Sequence, residues 1–409
     1  MAAGQALRPG LGTFDLARLV GPVAPDAFLA DAWERETLVL ERGNEAYYAE
    51  LLSLEDVDRI LTTTDLRYPA IRMVKDGAAV PLGAYTADVP WGSGTFSHVA
   101  DVERVLGLYA AGTTIVLQAL HRSWPAVRDM CRYLEARLGH RVQTNLYLTP
   151  PAAQGFSPHY DTHEVFVLQL AGSKRWRLYD RAAELPLRSQ RYDVKQHAPG
   201  PVRREVTLRS GDMIYMPRGV VHEAETSDDL SLHLTVGVPT TTWIDVFEVL
   251  VAACRRDVRF RRSLPVGFLT SEGPGEEARE AFGALVEAFA GGASLDTAHA
   301  RLASRFVSTR LPRLDGRLLE LGVGGEIALE TPFRRRPGVL YRVVAGATHV
   351  ELAFHGKRVR LPAFVEPTLR HLAAAARFTP ADLPGVLDEP GRLVLVRRLA
   401  GEGFLVRAD

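Results

Sequence analysis

Cysteine and lysine are scarce in this chain, and neither sign of charge dominates it. Cys131 and Cys254 are the only cysteines in 409 residues. That excludes a disulfide-stapled scaffold and a cysteine-based metal cluster, and it suits a reducing cytoplasm. The 49 basic and 49 acidic side chains cancel, so no global field argues for nucleic acid or a membrane surface as partner. No apolar run approaches the ~20 residues of a membrane span. The opening Met1 to Gly10 lacks the apolar core of a signal peptide. Nearly all basic side chains are arginine, and only Lys75, Lys174, Lys195 and Lys357 are lysine. A lysine beside a functional motif therefore needs explaining.

What is present is a spaced set of metal-ligating residue types. His159-Tyr160-Asp161 is followed by a strand-like run, Glu164 to Leu170, that ends at Ala171-Gly172. A strand sends residues i and i+2 to one face, so His159 and Asp161 can grip one ion if they lie on a strand. The third ligand arrives in Gly211-Asp212-Met-Ile-Tyr-Met-Pro217-Arg-Gly219-Val-Val-His222, where Pro217 and Gly219 shape a bend that aims His222 inward. Two imidazoles and one carboxylate leave three cis positions of an octahedron open, the arrangement that non-haem Fe(II) oxygenases need. His163 complicates the set, since a His-x-Asp-x-His run could offer a fourth ligand. A fourth protein ligand would block a position needed by cosubstrate or oxygen, so His163 is placed at the pocket mouth, facing substrate. His121, His140 and His197 read as loop or solvent residues.

The surrounding text predicts an α+β chain built on a double-stranded β-helix of the jelly-roll (cupin) kind, divided as 1–94, 95–240, 241–311 and 312–409. Residues up to about 94 read as mixed helix and loop packing on the barrel, with Ser53 as a helix N-cap. Between Thr95 and Pro239, short strands alternate with Gly and Pro, and one helix runs from Trp124 to about Leu138 and stops at Gly139. A helical region follows, in which Trp243, Phe247, Leu250 and Cys254 share one face at helical spacing. In the terminal module, Val350 to Leu361 predicts a hairpin, Phe364 to Phe378 a helix, and Gly391 to Arg407 a second hairpin turning at Ala400-Gly401. Together these read as a winged helix. Residues 333–409 hold 13 Lys/Arg against 7 Asp/Glu; a solvated arginine-rich face explains this as well as a nucleic-acid contact does, and the solvated face is preferred.

Asn145-Leu-Tyr147-Leu-Thr-Pro-Pro151, His159-Tyr-Asp161, Leu168 to Arg177 with Lys174 and Trp176, Gly211 to His222, and His233-Leu-Thr235 occur in the order found in the JmjC-type ribosomal oxygenases. The chain resembles a bacterial member of that group, most specifically over residues 140–240. The resemblance implies an Fe(II)- and 2-oxoglutarate-dependent dioxygenase that uses O2 to hydroxylate a protein or peptide side chain, ribosomal proteins included, and that forms a homodimer through its helical middle. By the same resemblance His159, Asp161 and His222 are the iron ligands. Lys174 partners the far carboxylate of 2-oxoglutarate, and Asn145, Tyr147, His233 and Thr235 wall the cosubstrate pocket. Elementary electrostatics agrees for Lys174, because a buried carboxylate needs a cation. Three readings stay open beside this one: the same chemistry on a small natural product, a Zn or Mn cupin with non-oxygenase chemistry, and a ligand-sensing regulator that works through the winged helix.

Overall fold

The computed structural model describes residues 14–322 and 325–408. The opening Met1 to Gly10, which lacks the apolar core of a signal peptide, lies outside the described residues. The described chain forms two compact units, one ending at Thr240 and the other starting at Thr241.

The first unit is a jelly roll of two antiparallel sheets. In the larger sheet the order is Leu38–Leu40, Met213–Met216, Glu164–Arg181, Ser231–Val238, Gln143–Thr149, Thr114–Leu117, Ile71–Lys75 and Ala78–Ala79. The smaller sheet joins Gln154–His159 to Val220–Glu225, and Val220–Glu225 to the second half of the long strand, which Arg204–Arg209 flanks on its other edge. Glu164–Arg181 therefore serves both sheets: its first half pairs with Ser231–Val238 and its second half with Arg204–Arg209.

The crossover lies at Gly172, which is not the turn expected from sequence. The strand runs through it without a break. Gly172 has φ +64°, and a Cβ there would sit 1.9 Å from the Leu230 carbonyl oxygen, so only glycine lets the strand bend so close to its neighbour. Alternation then sorts the side chains. Phe166, Leu168, Leu146, Leu234 and Val236 enter a core shared with Phe28, Val127, Met130 and Leu134. Val165 and Val167 face the barrel interior with Trp176 and Leu178. The helix Pro125–Leu138 belongs to that outer core and ends on Gly139 at φ +69°. Leu54–Thr63 begins with a reciprocal capping box between Ser53 and Asp56.

Two expectations about this unit are corrected. The boundary near residue 94 does not separate the barrel from what precedes it, because Leu38–Leu40 and Ile71–Lys75 are strands of the larger sheet. Both are short, and only pairing to distant partners makes them strands. Asp161 does not lie on a strand either: Gln154–His159 ends at His159, and Asp161 sits in the connection to Glu164.

In the second unit, Trp243–Cys254 packs on Leu295–Ser308, which in turn contacts the strands Tyr341–Ala345 and His349–Phe354. The expected division at 311/312 thus runs through packed structure. The hairpin expected around Val350 is present as His349–Phe354 and Lys357–Pro362, and the helix after it spans Glu366–Ala374. The second hairpin is not. Glu389–Gly401 is a helix, N-capped by Asp388 with Pro390 in its first turn, and only Leu405–Arg407 after it is a strand, paired to Phe333–Arg335. Its apolar run Leu393 to Val396 reads like a buried strand, but Leu395, Val396 and Leu399 recur at helical spacing and are buried. The two-stranded wing is therefore absent among the described residues.

Candidate active site

The barrel interior holds a cavity of about 300 Å³, and every residue nominated from the sequence lines it: His159, Asp161, His163, His222, Lys174, Asn145, Tyr147, His233 and Thr235.

His159 and His222 are cross-strand partners with ring centroids 4.6 Å apart. His159 Nδ1 lies 2.8 Å from the Ser157 carbonyl oxygen and His222 Nδ1 lies 3.0 Å from that of Val220. A carbonyl only accepts, so each Nδ1 carries the proton and each Nε2 keeps its lone pair. Asp161 completes the set from the loop, where its own carbonyl accepts from the Gly219 N–H at 3.0 Å. Its Oδ2 is 3.8 Å from His222 Nε2, and one ligand atom from each of the three residues lies within 4.8 Å of the others.

The charge states suit a cation. Burial, reinforced by His159, lowers the His222 pKa to about 4, leaving the ring neutral. Burial pushes Asp161 up, but His163, His222 and His159 outweigh it and hold the carboxyl below its usual range. Neutral imidazoles and an ionised carboxylate are the forms that bind metal. The residues therefore fit a divalent ion.

Lys174 projects from the long strand into the same cavity. It is buried, its Nζ donates to Thr149 Oγ1 at 3.0 Å, and among the described residues no carboxylate pairs with it. Burial lowers its pKa to about 7. A buried ammonium held only by a hydroxyl is a seat for an anion. Around it, Tyr147 stacks on His233 at 5.0 Å, and Asn145 Oδ1 accepts from the Ala119 N–H at 2.9 Å. The His233 Nδ1 and Trp176 Nε1 atoms are buried without a protein partner, which leaves them for a polar ligand.

His163 packs its ring over Gly237, where a Cβ would lie 3.1 Å from Cε1. Its Nε2 is 3.9 Å from Asp161 Oδ1, beside the three-residue cluster. Of the three histidines expected in loops or at the solvent, His140 lies in the loop after Pro125–Leu138, whereas His121 sits half-buried in a short helical turn. His121 Nδ1 accepts from the Thr144 N–H at 3.1 Å, and His140 stacks on Trp33. His197 does lie in a loop, against Tyr160 and Tyr192.

Sequence reasoning missed Trp176, Arg72 and Gln118, which line the cavity, and Thr149, whose hydroxyl holds the Lys174 ammonium. Thr149 was legible as i+4 from Asn145 on one strand face, and Trp176 as i+2 from Lys174. Arg72 was not, because its strand was not recognised.

Residues 118–246 match the JmjC domain family. That stretch is a JmjC domain, and among the proteins similar to this chain are ribosomal oxygenases. "Ribosomal oxygenase 1" of Rattus norvegicus is 36% identical over 265 residues, which cover 61% of this chain and 42% of that protein. The "Bifunctional lysine-specific demethylase and histidyl-hydroxylase NO66" of Drosophila erecta is 35% identical over 265 residues, 61% of this chain and 38% of that one. The chain thus spans about two fifths of the length of these curated relatives. Among solved structures, YcfD, a ribosomal oxygenase from Escherichia coli in complex with cobalt and 2-oxoglutarate, superposes with a TM-score of 0.55 at 15% identity. That match covers 95% of this chain and 99% of YcfD. At that identity the likeness is one of fold: a jelly roll with helical regions.

Proposed function

We propose that this JmjC protein is an Fe(II)- and 2-oxoglutarate-dependent dioxygenase that hydroxylates a C–H bond of a protein or peptide side chain, ribosomal proteins being the first candidates. One observation carries the reading: two Nε2 lone pairs and a carboxylate converge in the same cavity as a buried lysine that has no acidic partner among the described residues. A zinc or manganese cupin needs the first feature but has no use for the second.

In this reading His159, Asp161 and His222 hold the metal, with the Ser157 and Val220 carbonyls fixing the ring tautomers. Lys174 and Thr149 bind the far carboxylate of 2-oxoglutarate, Asn145, Tyr147, His233 and Thr235 wall it in, and His163 faces the substrate. With iron and cosubstrate bound, one oxygen atom of O2 converts 2-oxoglutarate to succinate and CO2, and the other enters the substrate C–H bond. The protein's own work would be to supply only these three ligands, leaving room for the cosubstrate, and to exclude water. The cytoplasm is the compartment proposed, and a homodimer through the helical region the assembly. Among the described residues no helix is long and apolar enough to cross a membrane.

The direct test compares proteins from a deletion strain and its parent by mass spectrometry. The expected result is a one-oxygen mass increase present only in the parent, and restored in vitro with Fe(II) and 2-oxoglutarate. Absence of succinate formation by the iron-loaded protein would overturn the reading.

A further inference from the structure

Among the described residues, Lys174 and Arg72 are the lysine and arginine that line the cavity, and neither the metal nor the cosubstrate reading above uses Arg72. It stands on Ile71–Lys75, between Ile71 and Met73, whose side chains are buried in the outer core, so alternation turns Arg72 to the barrel interior. Across the sheet it pairs with Val116, and Val116 pairs with Tyr147, which puts the guanidinium in the row that leads to the Tyr147–His233 stack. With the Gln118 amide turned so that its nitrogen donates to the Pro69 carbonyl at 2.9 Å, its oxygen accepts from Arg72 Nη1 at 3.2 Å. That contact fixes the side chain and consumes one of its five donors. Among the described residues, no carboxylate forms an ion pair with Arg72.

The acids of the cavity are accounted for. Asp161 belongs to the metal cluster. Glu223 accepts from the Tyr179 hydroxyl at 2.5 Å and from Gln154 Nε2 at 3.3 Å, and lies 3.6 Å from Arg177. Iron(II), Asp161, Lys174 and a dianionic cosubstrate together sum to no net charge. Arg72, half-buried in the cavity wall, then remains as a positive charge with free donors and without an ion-pair partner among the described residues. A lysine or arginine side chain entering there would meet a like charge at Arg72, with the Glu223 carboxylate already engaged by Tyr179, Gln154 and Arg177.

We infer that Arg72, held by Gln118, is a specificity-determining residue that donates to the substrate, and that the residue hydroxylated carries a hydrogen-bond acceptor and no positive charge. This rests on the hydroxylase reading above. Cationic side chains are rejected by repulsion, and neutral or anionic acceptors are oriented by the guanidinium fork.

The test uses the full-length protein loaded with Fe(II), 2-oxoglutarate and heavy-isotope O2, with intact ribosomal proteins from the deletion strain as substrate. The heavy label is expected on side chains of the acceptor class. Arg72→Leu should lower kcat/KM for the labelled protein on the order of 10- to 100-fold, the loss of a hydrogen bond to a charged group, and Arg72→Lys should recover part of it. The dissociation constant for 2-oxoglutarate, measured by calorimetry with Mn(II), should not change in Arg72→Leu. Label on lysine or arginine side chains would overturn the inference while leaving the hydroxylase reading intact. A weakened 2-oxoglutarate affinity in Arg72→Leu would also overturn it, by making Arg72 a cosubstrate residue. No label on any protein would remove the hydroxylase reading, and the inference would fall with it.

Discussion

The Arg218 guanidinium lies 2.7 Å from the Glu164 carboxylate, and both side chains are buried. Arg218 sits in the turn that leads to His222, and Glu164 begins the strand that follows Asp161. The pair ties together the two segments that carry candidate metal ligands, beside the bond from the Gly219 N–H to the Asp161 carbonyl. Glu34 also reaches Arg218, at 2.5 Å, and the Tyr215 hydroxyl donates to Glu164. Removing one member of a buried ion pair typically costs about 3–5 kcal/mol. Glu164→Gln should fall at or below the low end of that range, since Glu34 still faces Arg218. Thermal unfolding should show the loss, and titration with Co(II) should show weakened metal binding. Undiminished Co(II) affinity would confine the pair to a stabilising role.

His222→Ala tests the centre itself. It removes one of two imidazole donors while the strand pairing around it is made by backbone. Metal content after reconstitution should drop sharply and succinate formation should cease, with the far-ultraviolet circular dichroism unchanged. Zinc should bind the parent protein at least as tightly as Fe(II) and inhibit it, following the usual divalent order. Full turnover by the variant would remove His222 from the ligand set.

Lys174→Ala should strand the far carboxylate of 2-oxoglutarate. A broken buried pair at about 3–5 kcal/mol raises the dissociation constant on the order of 10²- to 10³-fold. Lys174→Arg should recover only part of this, because a planar fork cannot take the place of a point charge. Metal binding should survive both changes. Calorimetry under anaerobic conditions, with Mn(II) in place of iron, reads the effect, and an unchanged constant would remove the cosubstrate seat.

The same lysine predicts a pH dependence. Burial lowers its pKa from 10.5 to about 7, so without cosubstrate it is cationic below that value and largely neutral above it. An anion needs the cationic form. Affinity for 2-oxoglutarate should therefore hold below pH 7 and weaken by up to about tenfold per pH unit above it, with proton uptake on binding. The sign for folding runs the other way. Between about pH 7 and 10.5 the unfolded chain binds the extra proton, so this group makes the cosubstrate-free protein more stable as pH rises through that window and least stable below it. Calorimetry in buffers of different ionisation heat detects the uptake, which Lys174→Ala should abolish.

A last prediction concerns Trp243–Cys254. Leu250 of the expected stripe is buried, but Trp243 is 69% exposed and Phe247 52%, with Ile244 and Val251 also in the open. Apolar side chains clustered so on one helix mark an interaction surface. Sedimentation at micromolar concentration should show a dimer, and Phe247→Glu should weaken it. A monomer at every concentration would leave that face without the proposed partner.

The ligand types and their order were legible in the sequence because each follows from local spacing. His159 and Asp161 are two residues apart, Pro217 and Gly219 mark the bend before His222, and a rare lysine follows a strand-like run. The helix Pro125–Leu138, with a proline at its start and a glycine past its end, was legible for the same reason. Other features depended on which distant segments meet. Ile71–Lys75 becomes a strand only by pairing with Thr114–Leu117, and that pairing brings Arg72 to the cavity. Gly172 reads as a turn until Leu230 is seen packed against it, when it becomes a bend in one continuous strand. Glu389–Gly401 carries a strand-like apolar run, Leu393 to Val396, and the core that receives Leu395, Val396 and Leu399 makes it a helix. Periodicity records how a segment could bury its apolar side chains, and local spacing records which ligands it could offer. Which face is buried, and which charges share the cavity, is fixed only when segments far apart in the chain pack together.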